Sequence, residues 1–146
     1  MNLFEEICSY SNLLSAFDRV EENAGGPGVD NVTIEEFSLS LNETLLSLGK
    51  ELLDDRYEPD ALLKVGIPKD GGRVRWLSIP TVRDRVVQTS AAIVLTPILD
   101  REFEECSFAY RKGRSVKKAV QKIIDYRERG YVWVVDADIT SYFDEI

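Results

Sequence analysis

Three carboxylates, Asp136, Asp138 and Asp144, stand at the end of the run YVWVVDADITSYFD over residues 131–144. Residues 131–135 are aromatic or β-branched, the composition of a buried strand. Alternation then turns Trp133, Val135, Ala137 and Ile139 to one side and Val134, Asp136 and Asp138 to the other. An ionised carboxylate at the end of an apolar strand is costly unless a cation or a donor meets it. Hard oxygen ligands in that position suit Mg²⁺, which binds one or two protein carboxylates together with substrate phosphates.

The cations lie elsewhere. Residues 1–60 hold 3 Lys/Arg against 14 Asp/Glu, whereas residues 61–130 hold 15 against 8, inside a chain of net charge −8. Such asymmetry points to a half that faces a polyanion. Two short β-prone runs, Leu62–Pro68 and Arg73–Ile79, flank Lys69 and the glycines at 71 and 72, so a hairpin is expected there. Arg73 and Arg75 share a face by alternation, with Lys69 beside the turn. An ammonium and a guanidinium so placed clamp a triphosphate, or they are the solvated edge of an ordinary hairpin. Arg83, Arg85 and Gln88 follow on the next helix, to lie along a phosphate backbone or to pair locally, Arg85 with Asp84. Residues 107–118 (SFAYRKGRSVKK) interleave aromatics and cations at a helix N-terminus, where dipole and donors favour phosphate. Phe108 and Tyr110 serve that loop or plug the core.

Helices must position these groups. Leu3, Phe4, Ile7, Tyr10, Leu13, Leu14, Phe17 and Val20 give one amphipathic helix over residues 2–22, broken by the glycines at 25–28. Thr33 and Glu36 form a capping box that opens a second, striped by Ile34, Phe37, Leu41, Leu45, Leu48 and Leu52. Thr81 caps a third, running to Leu95 or Asp100 with an interruption near Pro97. Its buried side is expected to be Val86, Val87, Ala91, Val94, Leu95 and Ile98. Ser115 caps a fourth, turning Val116, Ala119, Val120, Ile123 and Ile124 inward until Gly130 stops it. The order helices, hairpin, helices, strand predicts an α+β fold. Histidine is absent, and Cys8 and Cys106 have no metal-ligand spacing, which excludes imidazole catalysis and structural zinc within this chain. No run reaches the ~18 apolar residues of a membrane span, and the expectation is a soluble cytoplasmic protein without a membrane partner.

Five stretches together resemble the group II intron lineage of bacterial reverse transcriptases, which includes maturases, retroelement enzymes and enzymes attached to CRISPR adaptation. They are GPGVD (26–30), IPK (67–69), RWLSIPTVRDRVVQ (75–88), SFAYRKGRS (107–115) and DITSYFD (138–144), in the family's order. The resemblance implies a fingers subdomain with an N-terminal helical extension over residues 1–130, and the first strand of a palm over 131–146. It implies that Asp138 is a catalytic aspartate, which with the Ile139 carbonyl ligates metal, two Mg²⁺ ions in the complete enzyme or Mn²⁺ in their place. Phe143 would be the gate against a ribose 2′-hydroxyl, and Lys69 and Arg75 would grip the phosphates of the dNTP. Arg85, Gln88, Tyr110, Arg111 and Arg114 would touch template and primer. The loop at 25–30 would cover the template strand. The implied partners are an RNA template, a DNA primer and a dNTP, with intron RNA or CRISPR adaptation proteins beside them. The implied activity is RNA-directed DNA polymerisation by two-metal nucleotidyl transfer.

The family's second carboxylate motif, an aromatic, any residue, then Asp-Asp, does not occur in these 146 residues. The expectation is therefore a piece of a longer enzyme, inactive alone. Three other readings stay open. Asp136 and Asp138 in isolation fit a glycosyltransferase metal site, although such folds open with βαβ units. A non-catalytic nucleic-acid-binding module derived from a reverse transcriptase needs only the basic half. A protein-interaction domain needs only the acidic helices.

Overall fold

The computed structural model describes residues 2–68, 71–72 and 74–139. It comprises six helices and one hairpin among those residues: α1 (Leu3–Cys8), α2 (Tyr10–Glu22), α3 (Ile34–Ser38), α4 (Leu41–Leu53), β1 (Leu63–Pro68), β2 (Val74–Ile79), α5 (Val82–Leu99) and α6 (Val116–Glu128). Helices with an antiparallel pair are the expected α+β composition. The chain divides into two compact units, residues 1–101 and 102–146.

In the first unit the expected helix over 2–22 is two helices. Ser9 is extended (φ −65°, ψ 141°) and its hydroxyl caps α2 while donating to the Glu6 carbonyl at 2.8 Å. The second expected helix divides likewise into α3 and α4. The capping box before α3 is present: Glu36 N donates to Thr33 Oγ1 at 3.1 Å, and Thr33 N donates to Glu36 Oε2 at 2.9 Å. Leu13, Phe17, Val20, Ile34, Phe37, Leu45, Leu48 and Leu52 are buried as their spacing requires, whereas Leu3 and Phe4 are about half exposed. Phe17 and Phe37 stack with ring centroids 5.6 Å apart.

Helix α5 packs chiefly on α2 and also on α1. Its buried row is Val82, Val86, Ser90 and Val94, with Asp84 beside it, so the expected row is corrected: Ile98 is exposed. A polar knot decides the shift. Asn12 Nδ2 donates to Ser90 Oγ at 2.7 Å, and Ser90 Oγ donates to the Ile7 carbonyl at 2.5 Å, joining α1, α2 and α5. Pro97 does not interrupt α5. It lies two residues before the end, so the carbonyl of Ile93 that loses its helical donor belongs to the last turns of the helix and few residues follow the break in the ladder.

The second unit corrects two expectations. Residues 131–139 carry no strand; Trp133 is 94% and Val135 92% exposed. β-propensity describes fit to a pleated neighbour, and no other strand pairs with this run among the described residues. Ser115 caps α6 as expected, with Lys118 N donating to Ser115 Oγ at 3.2 Å. Yet Val116, Val120, Ile123 and Ile124 stay largely exposed, because no described element of this unit covers that stripe. Tyr131 turns back so that its ring meets Tyr126 edge-on at 5.8 Å, leaving an open apolar groove of about 780 Å³ between α6 and residues 131–135.

Candidate nucleic-acid interface

The hairpin is in register Leu63↔Ile79 through Pro68↔Val74. Gly71 and Gly72, with φ of +81° and +76°, supply the left-handed turn that joins the strands. Arg75 opposes Ile67 near that turn and is exposed. Lys69 and Arg73 lie outside the described residues.

Both roots of the hairpin converge on one buried residue, Asp84, one on its carboxylate and the other on its backbone N–H. Asp84 is 1% exposed. It accepts from Tyr57 Oη at 2.6 Å and from the Asp60 backbone N–H at 3.0 Å, just before β1. Its own N–H donates to Thr81 Oγ1 at 3.2 Å, the cap of α5 just after β2. Arg83 does not pair with Asp84 either: it salt-bridges Glu51, stacks 4.8 Å over the Tyr57 ring and donates to the Glu58 carbonyl at 3.3 Å. Burial, and then the hydrogen bond and charge of Asp84, push the Tyr57 phenol well above its usual range. Only the Thr81 cap of this clasp is legible in the sequence; the partners of the Asp84 carboxylate, Tyr57 and Asp60, lie 27 and 24 residues away.

The Gly25–Asp30 segment is seated on the start of α5. A Cβ on Gly28 would lie 2.6 Å from Thr81 Cα and 2.9 Å from the Pro80 carbonyl carbon, so only glycine fits. Arg85 Nη2 donates to the Gly26 carbonyl at 2.7 Å, and Arg85 Nε is buried without a partner among the described residues. The pairing of Arg85 with Asp84 that the sequence left open does not form; Arg85 holds the glycine segment instead. Burial lowers the Arg85 pKa, and the charge of Asp30 works against that shift. Gln88, roughly one turn on, is exposed.

In the second unit the loop at 103–114 is built around its arginines. Arg111 Nη1 donates to the Glu104 and Ser107 carbonyls at 2.8 and 3.1 Å, with its guanidinium 5.4 Å from the Phe103 ring centroid. Arg114 lies over Phe108 at 5.6 Å, and Lys118 Nζ donates to the Gly113 carbonyl at 2.6 Å. Tyr110, at φ +55°, is fully exposed and plugs no core. A shallow cavity of about 230 Å³ sits beside the loop, lined by Phe108, Arg114, Lys118 and Lys122 but also by Glu105 and Asp125. The structure thus brings Arg114 and Lys118 together, while Arg111 braces the loop itself.

Asp136, Asp138 and Ile139 are exposed. Phe143 and Asp144 lie outside the described residues. No group of three acidic or cysteine side chains fit to hold a metal occurs among the described residues. Among the described residues, Asp138 and its neighbours do not by themselves fit a two-metal centre. Nor is any described helix long and apolar enough to cross a membrane.

Residues 67–146, more than half of the chain, match the family model for reverse transcriptase (RNA-dependent DNA polymerase). Protein YkfC of Escherichia coli is 36% identical over 129 residues, covering 86% of this chain and 34% of that protein. The group II intron-encoded protein LtrA of Lactococcus lactis subsp. cremoris is 31% identical over 139 residues, 94% of this chain and 22% of LtrA. Nuclear intron maturase 2, mitochondrial, of Arabidopsis thaliana is 28% identical over 157 residues, 98% of this chain and 21% of the maturase. The chain spans about a third or less of the length of these relatives. With its basic hairpin, glycine segment and arginine-aromatic loop inside the matched regions, the chain belongs to the reverse transcriptase (RNA-dependent DNA polymerase) family and resembles that family's group II intron-encoded members.

Proposed function

We propose that this chain is the fingers region and palm entry of an RNA-directed DNA polymerase, the part that holds template, primer and dNTP. The observation that carries the reading is the hairpin. Its two strands hold Lys64 and Arg75 and no acid, in a chain whose net charge is −8. Both of its roots are fixed by Asp84 and Thr81 to the helix that also seats the Gly25–Asp30 segment. That arrangement suits a ribbon of fixed root that presents cations to phosphates, with Arg75 and Lys69 directed to the dNTP. Gln88, Tyr110, Arg111 and Arg114 belong to the template and primer side, and Arg85 acts there by positioning the glycine segment.

Asp138 is the proposed catalytic carboxylate, with Ile139 beside it and Phe143 as the sugar gate. Mg²⁺ would supply the charge stabilisation of nucleotidyl transfer. The proposed boundary between fingers and palm is residue 130, and intron RNA is the favoured native partner.

Binding of an RNA–DNA template–primer hybrid to the chain, followed by anisotropy across salt concentrations, tests this reading. Arg75→Ala and Arg114→Ala should each lower the log–log salt slope by roughly 0.7–0.9. Slopes equal to that of the unsubstituted chain would count against the phosphate contacts.

A further inference from the structure

Directly opposed residues of an antiparallel pair lie on the same side of the ribbon. Arg75, Val65, Ile67 and Leu77 therefore share one face of the hairpin, and Lys64, Gly66, Val74 and Trp76 share the other. No side chain of the second face is assigned above to the dNTP, the template or the primer. Trp76 is 64% exposed there, an unusual place for the largest apolar side chain. It is nonetheless held in position. Trp76 stands opposite Gly66, and a Cβ on Gly66 would lie 3.2 Å from indole Cζ3, 3.5 Å from Cη2 and 3.0 Å from Val74 Cγ1. The indole thus lies across the space that glycine leaves free, backed by Val74, and much of it remains open to solvent.

Lys64 is diagonal to Trp76 on the same face, a separation of roughly 7–8 Å between such positions. It is exposed and has no ion-pair partner among the described residues. A fixed, open aromatic surface beside an unpaired ammonium, on a ribbon whose described strands carry no acid, complements a base and its phosphate. It does not suit an acid-free apolar partner, which would leave Lys64 desolvated. We propose that this face is a stacking platform for an unpaired base of single-stranded RNA, Trp76 taking the base and Lys64 the adjoining phosphate. The proposal rests on the reading that the hairpin meets nucleic acid, and adds to it a second contact on the face away from Arg75.

The test uses the 146-residue chain carrying Trp133→Phe, so that Trp76 is its one fluorophore of this kind, and a single-stranded oligouridine 12-mer as probe. RNA should quench Trp76, and a blunt RNA–DNA duplex should not. Trp76→Leu should weaken binding of the 12-mer by about 5- to 150-fold, the range for loss of one stacked base, and Trp76→Phe should restore most of it. Lys64→Gln should lower the salt slope by about 0.7. Circular dichroism checks that each variant is folded. Equal affinity of Trp76→Leu and its parent, with Arg75→Ala still weakened, overturns the platform and leaves the function standing. Absence of any nucleic-acid binding by the unsubstituted chain overturns both. Self-association that Trp76→Leu abolishes, without an effect of RNA, assigns the face to a second copy of the chain and also overturns the proposal.

Discussion

Replacing Asp84 by alanine should be the most damaging single change in the first unit. The carboxylate is 1% exposed and receives two hydrogen bonds, from Tyr57 Oη at 2.6 Å and from Asp60 N at 3.0 Å. Bonds to a charged group contribute about 1.5–3 kcal/mol each, and removal leaves both donors without their acceptor. An acid in the first turn of a helix contributes a further ~0.3–1 kcal/mol. Because these effects share one side chain they do not add fully, and a loss of about 3–5 kcal/mol is expected. Asp84→Asn keeps one acceptor but turns an NH₂ group toward a donor, so about 1.5–3 kcal/mol should go. Tyr57→Phe should cost a similar amount, and the double variant Tyr57→Phe/Asp84→Ala less than the two singles together. Urea titrations read through hydrogen exchange of α5 amides isolate this unit from the second. Exchange at residues 60–68 should rise as well, since the clasp fixes the root of β1. A loss below about 1 kcal/mol for Asp84→Ala would refute the clasp.

Three further outcomes follow from the geometry. Gly28→Ala places a Cβ against the Thr81 and Pro80 backbone and should cost about 1–3 kcal/mol, with faster exchange of the Asn31 amide that bonds the Gly28 carbonyl; unchanged exchange would contradict the close approach. The folded chain holds the Tyr57 proton more tightly than the unfolded chain, so this stabilisation is complete below pH ~10 and is lost as pH rises through the raised value. The unsubstituted chain should therefore lose more stability above pH ~10 than Tyr57→Phe does, and identical alkaline curves would remove the basis for that shift. Cys106 is exposed, whereas Cys8 is 3% exposed and burial raises its thiol pKa, so a thiol reagent should label Cys106 fast and Cys8 only at the rate of unfolding. Equal labelling rates would place Cys8 outside the core.

Local signals were legible wherever one segment decides its own structure. The 3–4 residue spacing of Leu13, Phe17 and Val20 and of Leu45, Leu48 and Leu52 marks buried faces, and Thr33 with Glu36 marks a helix start. The paired glycines mark the hairpin turn. Breaks inside a continuous apolar stripe were not legible, because the stripe runs on through Ser9 while a hydroxyl caps a new helix there. Nor was the destination of Asp84 visible, since Tyr57 and Asp60 are 27 and 24 residues away. Arg83 and Arg85 read as cations for a polyanion, yet each is engaged by the chain itself, at Glu51 and at Gly26. The run 131–139 and the stripe of α6 show the opposite failure. Their apolar pattern is unmistakable, but pattern specifies a face that wants covering, not the element that covers it.

The proposed function makes this sequence part of an enzyme that copies RNA into DNA, with Asp138 at the reacting phosphate. Primer extension on an RNA template, in the longest natural protein that carries this sequence, tests it most directly. Mg²⁺-dependent DNA synthesis is expected, falling by roughly a thousandfold or more in Asp138→Ala, several kcal/mol of lost charge stabilisation, with template–primer binding retained. Synthesis at an undiminished rate in Asp138→Ala, or no synthesis by a protein that binds the hybrid, would contradict it.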